Sequence, residues 1–340
     1  MRQRPPHLPA PEPRGAPAFR DLGEARTDLA IESLQAASPS AGRRSRADGV
    51  EIDEERSGGV DLNRVRVLSP AGERLVGKPR GTYITLDAPQ LRQRDTEVQE
   101  TVARLLAAEL RRLLQLKAGA SVFVVGLGNW NATPDALGPK VVEHVLVTRH
   151  LQGQVPSNLR GELRPVAALA PGVLGLTGIE TGDIIRGIVE RIRPDAVIVV
   201  DALASRSIER ILRTIQLADT GIRPGSGVGN HRAGIDQAVL GVPVVAMGVP
   251  TVVHAATIAA DAMELLADRL GEGEAARALR ALLAEDKRGL IAEVLDPAVG
   301  DLMVTPKEID ALVDDMAKVL AAGINAALHP KVAAQELLLG

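Results

Sequence analysis

Two rhythms of apolar residues alternate along this chain. Val98, Val102, Leu105, Leu106, Leu110 and Leu113 recur at helical spacing, which predicts an amphipathic helix over about 96–116. The run Val122-Phe123-Val124-Val125, closed by Gly126 and Gly128, is short and apolar throughout and reads as a buried parallel strand. A helix is expected from about Pro139, with Val141, Val142, Val145 and Leu146 on one face. The pattern then repeats. Val166 to Leu169 is a weaker strand, and Ile184, Ile185, Ile188, Val189 and Ile192 make a helix that Arg193-Pro194 ends. Ala196 to Val200 is the clearest buried strand, followed by a short helix over 208–212 and strands at 214–218 and 242–247. Two long helical patterns, about 255–270 and 306–327, close the chain. Ahead of this body, Val65, Val67 and Tyr83 to Leu86 predict a small separate sheet or hairpin. Strands alternating with helices give an α/β fold with a mostly parallel sheet.

The beginning of the chain breaks this rhythm. Pro5, Pro6, Pro9, Pro11, Pro13 and Pro17 crowd the first seventeen positions among Arg and Ala, a composition that cannot offset its own ordering entropy. Residues 1 to about 24 therefore read as flexible, and Ser38 to Asp48 as a polar linker. Leu29-Ala30-Ile31 is the one apolar island between them. With 340 residues there is chain enough for one large domain or two modest ones.

Composition mostly removes options. There are 40 basic and 43 acidic residues, a net charge of −3, so the basic excess of a nucleic-acid grip or an anionic-membrane binder is missing. Only Phe19, Tyr83, Phe123 and Trp130 are aromatic, too few for base-stacking platforms. The absence of cysteine excludes disulfides, thiolate nucleophiles and Cys-ligated zinc. No apolar run reaches membrane-spanning length and no signal-peptide layout opens the chain, so a cytoplasmic protein without membrane contact is expected.

Open α/β sheets form their sites beyond the carboxyl ends of the strands, and two acids stand there. Asp135 follows the 122–125 run by way of Gly126-Leu127-Gly128-Asn129, and Asp201 directly follows 196–200. Carboxylates brought close share a proton, so that one serves as base for a water and the other as acid to a leaving group. That pairing fits metal-free peptide hydrolysis. Read singly, each acid is equally explained as a helix cap, Asp135 for the helix that follows it and Asp201 for the 206–212 stretch. Other candidates are weaker. Gly126-x-Gly128 lacks the third glycine of a dinucleotide loop, and Pro224-Gly225-Ser226-Gly227-Val228-Gly229-Asn230 lacks the Gly-Lys-Ser/Thr of a phosphate loop. Ser226 is not on a Gly-x-Ser-x-Gly elbow, and His231 is too near it in one loop to build a triad. No two histidines stand at metal-ligand spacing with an acid, His144 fits a solvated helix face, and only His254 lies near a strand end. A nucleotide sensor using the Gly126 and Gly225 loops, or a metal-dependent maturation peptidase, are the readings from other classes.

Several blocks then resemble the germination proteases of spore-forming bacteria. They are Arg26-Thr27-Asp28-Leu29-Ala30, Gly126-Leu127-Gly128-Asn129-x-x-Ala132-Thr133-Pro134-Asp135-Ala136-Leu137-Gly138-Pro139 and Ala170-Pro171-Gly172-Val173-Leu174-Gly175. Gly178-Ile179-Glu180-Thr181, Val200-Asp201-Ala202-Leu203-Ala204-Ser205-Arg206, Gly225 to Asn230 and Leu302-Met303-Val304-Thr305-Pro306-Lys307-Glu308-Ile309-Asp310 continue in the same order. The resemblance implies a three-layer α/β/α fold similar to hydrogenase maturation peptidases. It implies an endopeptidase that degrades small acid-soluble spore proteins during germination, made as a zymogen in the forespore and spore core and assembled as a homotetramer. It also implies an atypical aspartic peptidase without cofactor or metal, whose two aspartates fall on Asp135 and Asp201. The family's substrate bond joins an acidic residue to an apolar one and then a small one, which marks Asp28-Leu29 as a self-processing site. Residues 1–28 are then a leader and 29–340 the peptidase domain, with a variable insertion at about 266–300. The leader is longer and richer in proline than a usual pro-segment, and the 270–300 stretch departs from the family pattern.

Overall fold

A computed structural model describes residues 28–37, 46–47, 49–151, 153, 163–223, 234–283 and 302–330. The leader before Asp28, the Gly225–Asn230 loop with His231, and residues 284–301 of the expected insertion lie outside the described residues.

One sheet runs through the molecule. Its strands are β1 (Arg46–Ala47), β2 (Val50–Ser57), β3 (Val60–Val67), β4 (Gly81–Asp87), β5 (Val122–Gly126), β6 (Val166–Leu169), β7 (Ala196–Ser205), β8 (Thr214–Ala218), β9 (Val244–His254) and β10 (Met303–Val304). The order is β1-β2-β3-β4-β8-β9-β7-β5-β6, with β10 pairing β9. The block β9-β7-β5-β6 is parallel, as its apolar runs predict, and its strands are the ones joined by helical crossovers. The remaining pairings are antiparallel. The β2–β4 strands, expected as a separate small sheet, are continuous with this block, because β4 pairs β8 along Tyr83–Asp87. Two expectations of detail change. Arg46–Ala47, read as linker, pairs with β2, and the 208–212 helix is a single 3₁₀ turn, Ile208–Arg210, because Ile211 and Leu212 turn into the core instead.

Helices cover both faces, giving the expected three layers. On one face lie α3 (Thr96–Leu114), α4 (Leu137–His144) and the closing helix α9 (Ile309–Leu328). Alternation within each strand sorts the core between the layers. Val122 and Val124 of β5 and Ile198 and Val200 of β7 pack with Leu106, Leu110 and Leu320 under that face. Phe123, Val125, Val197 and Val199 point the other way, onto α6 (Thr181–Ile192) through Ile185 and Val189. Further along this second face, α1 (Ala30–Ala37) and α2 (Pro70–Val76) cover Val50, Val65 and Tyr83. Between those two apolar patches of the second face the sheet carries Asp201, whose neighbour Val200 belongs to the first face. α5 (Leu174–Thr177), α7 (Gln237–Leu240) and α8 (Ala255–Arg269) complete the order.

Candidate active site

Asp135 owes its position to two close backbone approaches and a hydrogen bond. After β5 the chain passes Gly128 at φ +121°, a conformation suited to glycine, where an added Cβ would lie 1.9 Å from the Asp135 carbonyl oxygen. Gly126 and Gly138 meet in the same way, a Cβ on Gly126 falling 2.1 Å from the Gly138 oxygen. The start of α4 therefore rests directly on the end of β5. The Asn129 N–H donates to the Asp135 carbonyl at 3.0 Å and closes the turn. Glycines of this loop serve close packing of backbone, which accounts for Gly126-x-Gly128 without the dinucleotide-loop alternative. Neither acid is a cap: Ala136 stands at the N-cap of α4, and Ser207 caps the Ile208–Arg210 turn.

Asp201 sits where β5 has ended and β7 continues. Gly126 pairs with Val200, the Leu127 N–H donates to the Val200 carbonyl at 2.8 Å, and β7 then runs on to Ser205 beside β9. Asp201 is thus inside a strand rather than at its tip, because β9 keeps pairing with it past the end of β5. It is buried, 7 % exposed, and its Oδ1 accepts the Ala202 N–H at 2.9 Å. Gly248 of β9 lies next to it in register, and Gln216 of β8 lies beyond Gly248 in the same row. Side chains of one row share a face, so Asp201 and Gln216 flank a position that has no side chain.

These residues line one cavity of about 1070 Å³, which also receives Asp135, Asp28 and Lys78. That is the upper end of ligand-pocket sizes, roughly 300–1,000 Å³, and suits a peptide segment better than a single small molecule. The structure thus brings together Asp135, Asp201 and the Asp28 end of the expected processing site. His254 ends β9 and is not part of the lining, and His144 is exposed on α4 as expected.

A stretch of the chain itself is held at this cavity. The Asp28 N–H donates to the Ala204 carbonyl at 3.1 Å, and the Asp28 carboxylate accepts the Ala204 N–H at 3.0 Å. Gln216 Nε2 and Lys78 Nζ both donate to the Asp28 carbonyl oxygen, at 2.8 and 3.2 Å. Leu29, Ala30 and Ile31 are buried against Val50, Val65 and Tyr83. The Glu32 carboxylate accepts the N–H groups of Arg206 and Ser207 and pairs with Arg210 at 3.2 Å. α1 begins at Ala30, so the Asp28–Leu29 bond stands just ahead of a helix rather than within a long extended stretch. Burial pushes the Lys78 ammonium below its ordinary value, against the opposing pull of the Asp28 and Glu32 carboxylates.

Lys78, Gln216 and the grip on Glu32 escaped the sequence reading. Gln216 carried a signal in principle, a lone amide inside the buried run Ile215-Gln216-Leu217 of β8. Lys78 carried none, since Gly77-Lys78-Pro79 reads as an ordinary helix exit.

Comparison with known proteins agrees with the block resemblance. The family model described as germination protease matches residues 25–284 and 275–338. A germination protease of Caldanaerobacter subterraneus subsp. tengcongensis is 49 % identical, over 92 % of this chain and 96 % of its own length. One from Clostridium perfringens is 47 % identical over 92 % and 97 %, and one from Bacillus cytotoxicus 45 % over 90 % and 94 %. Among solved structures, a NiFe hydrogenase maturation protease from Thermococcus kodakarensis aligns at 18 % identity and a TM-score of 0.34, over 65 % of this chain and 98 % of its own. On the extent of the family match and the identity of these relatives, this chain belongs to the germination protease family of peptidases.

Proposed function

We propose that this chain is the endopeptidase that opens small acid-soluble spore proteins when a spore germinates, and that Asp135 and Asp201 cut the bond together through a water molecule. It is made in the forespore as a zymogen whose leader ends at Asp28, removes that leader by cutting Asp28–Leu29, and works as a homotetramer in the spore core. The observation that carries the reading is the shared cavity of Asp28, Asp135 and Asp201. In the reaction one carboxylate takes a proton from water as the water oxygen adds to the carbonyl carbon. The carbon–nitrogen bond then breaks, and the nitrogen leaves with a proton from the other, protonated carboxyl, so that water is added across the peptide bond. A leader whose last residue, Asp28, lines the cavity keeps substrate out until it is removed.

Incubation with a small acid-soluble spore protein, followed by gel analysis, tests the activity: cleavage at one or two defined bonds is expected, with phenylmethylsulfonyl fluoride and EDTA without effect. A thermal shift with nucleotides and no cleavage would favour the sensor reading, and loss of cleavage with EDTA the metal-dependent one. N-terminal sequencing after mildly acidic, low-water incubation is expected to begin Leu29-Ala30-Ile31-Glu32.

A further inference from the structure

We propose that Lys78 and Gln216 are catalytic residues that hold the carbonyl oxygen of the bond being cut and carry its charge while the carbon is tetrahedral. The inference rests on the reading of Asp28–Leu29 as a bond this site cuts. Two donors from different elements converge on one oxygen: Gln216 Nε2 from β8 at 2.8 Å and Lys78 Nζ from the exit of α2 at 3.2 Å. Gln216 Nε2 falls inside the donor range of an oxyanion site, about 2.7–3.1 Å, and Lys78 Nζ lies just beyond it. Gln216 does more than donate. Its Oε1 accepts the Ala30 N–H at 2.5 Å, so a single amide spans Leu29, from the carbonyl before it to the N–H after it. That second bond fixes the amide orientation, since the flipped amide would set donor against donor.

The row across the sheet supplies the rest. Asp201, Gly248 and Gln216 are in register on neighbouring strands, so Asp201 and Gln216 stand about 10 Å apart, twice the ~4.8 Å strand spacing, and face the same way. Gly248 leaves room between them for the Leu203 side chain, since a Cβ there would lie 2.6 Å from Leu203 Cγ. The oxygen is therefore held at one end of a row that has an acid at the other. When the water oxygen adds to the Asp28 carbon, the carbonyl electron pair moves onto the oxygen between the two donors. On collapse that pair returns and the bond to the Leu29 nitrogen breaks. A cation is costly to bury, and a neutral donor would hold a ground-state carbonyl as well. A buried lysine is justified where the oxygen becomes charged.

The test uses the full-length chain and its Lys78→Met, Lys78→Arg and Asp201→Asn variants, with mass spectrometry following the appearance of the Leu29 terminus. Lys78→Met is expected to slow this step by about 10²–10³-fold, and Lys78→Arg to recover at least about a tenth of the wild-type rate. Hydrogen exchange of the Ala30 amide, compared between Asp201→Asn and Asp201→Asn/Lys78→Met, reads docking without cleavage and is expected to differ by less than about threefold. On a separate peptide carrying an acidic–apolar bond, Gln216→Met is expected to lower kcat by about 10²-fold with KM little changed. Wild-type rates in Lys78→Met, or a loss matched by an equal loss of Ala30 protection, overturn the proposal alone. A wild-type chain that cuts neither its own bond nor the peptide overturns the underlying reading and the proposal with it.

Discussion

At the scale of single residues, the two acids and the lysine call for opposite experiments. Under the proposed mechanism, Asp135→Asn and Asp201→Asn each replace a carboxyl that takes and returns a proton with an amide that does neither. Each is expected to lower turnover on spore protein by about 10²–10⁴-fold while the thermal melt stays cooperative. Near-normal turnover in either variant would remove the two-aspartate mechanism. Lys78 is different, because burial holds its pKa below the ordinary 10.5 and its charged form weighs against the fold. The unfolded chain binds that proton more tightly, so the penalty is complete below the folded pKa and fades as pH rises toward 10.5. Lys78→Met is therefore expected to melt above the wild type at neutral pH, with the difference shrinking in alkaline buffer. Melting curves between pH 7 and 10 check this; a lower-melting variant would mean that the attraction of Asp28 and Glu32 outweighs burial. The two candidate acids were legible in the sequence because each follows an apolar run. The donors to the Asp28 carbonyl were not, since they come from β8 and from the loop after α2, which only the folded sheet brings together.

At the scale of elements, Arg64 fastens the β2–β3 hairpin to α3. Its guanidinium reaches Asp53 at 3.1 Å and Glu55 at 3.0 Å on β2, and Glu109 of α3 at 2.5 Å. Arg64 and Glu109 are 13 % and 6 % exposed at the side chain, so the pair is largely shut off from water. Arg64→Met leaves the buried Glu109 carboxylate with Arg112, at 4.0 Å, as its remaining cation, at a cost of up to about 3–5 kcal/mol. Urea unfolding is expected to show that loss, and the Arg64→Met/Glu109→Met double variant to recover most of it. A single variant within about 1 kcal/mol of the wild type would show that Glu109 finds other solvation. This junction also marks where sequence reading stops. The parallel strands announce themselves as apolar runs because both their faces are covered. β2, Val-Glu-Ile-Asp-Glu-Glu-Arg-Ser, buries only Val50 and Ile52 and fills the rest of its length with five charged residues and Ser57, so its pattern is that of a surface. The β4–β8 pairing that welds it to the core joins segments far apart in the chain, and nothing local encodes it.

At the scale of the whole molecule, the proposed assembly needs a surface to cover. α8 runs fifteen residues from Ala255 to Arg269 and buries only Ala267. Leu265 and Leu266 are 55 % and 54 % exposed, and Leu270 at its C-cap is 46 % exposed. Single exposed leucines are ordinary, but three within six positions form a patch of the kind that copies of a chain bury against one another. No disulfide joins the copies, since the chain has no cysteine, so association would rest on such burial. Size-exclusion chromatography with light scattering is expected to return a tetramer at micromolar concentration. Leu265→Glu/Leu270→Glu is expected to shift it toward smaller species, because each carboxylate would have to leave water for an apolar contact. None of these positions lines the cavity of Asp135 and Asp201, so cleavage per chain should hold while the assembly loosens. A wild-type monomer at that concentration would remove the tetramer from the proposed function. A wild-type tetramer unaffected by the two glutamates would move its contacts to another face.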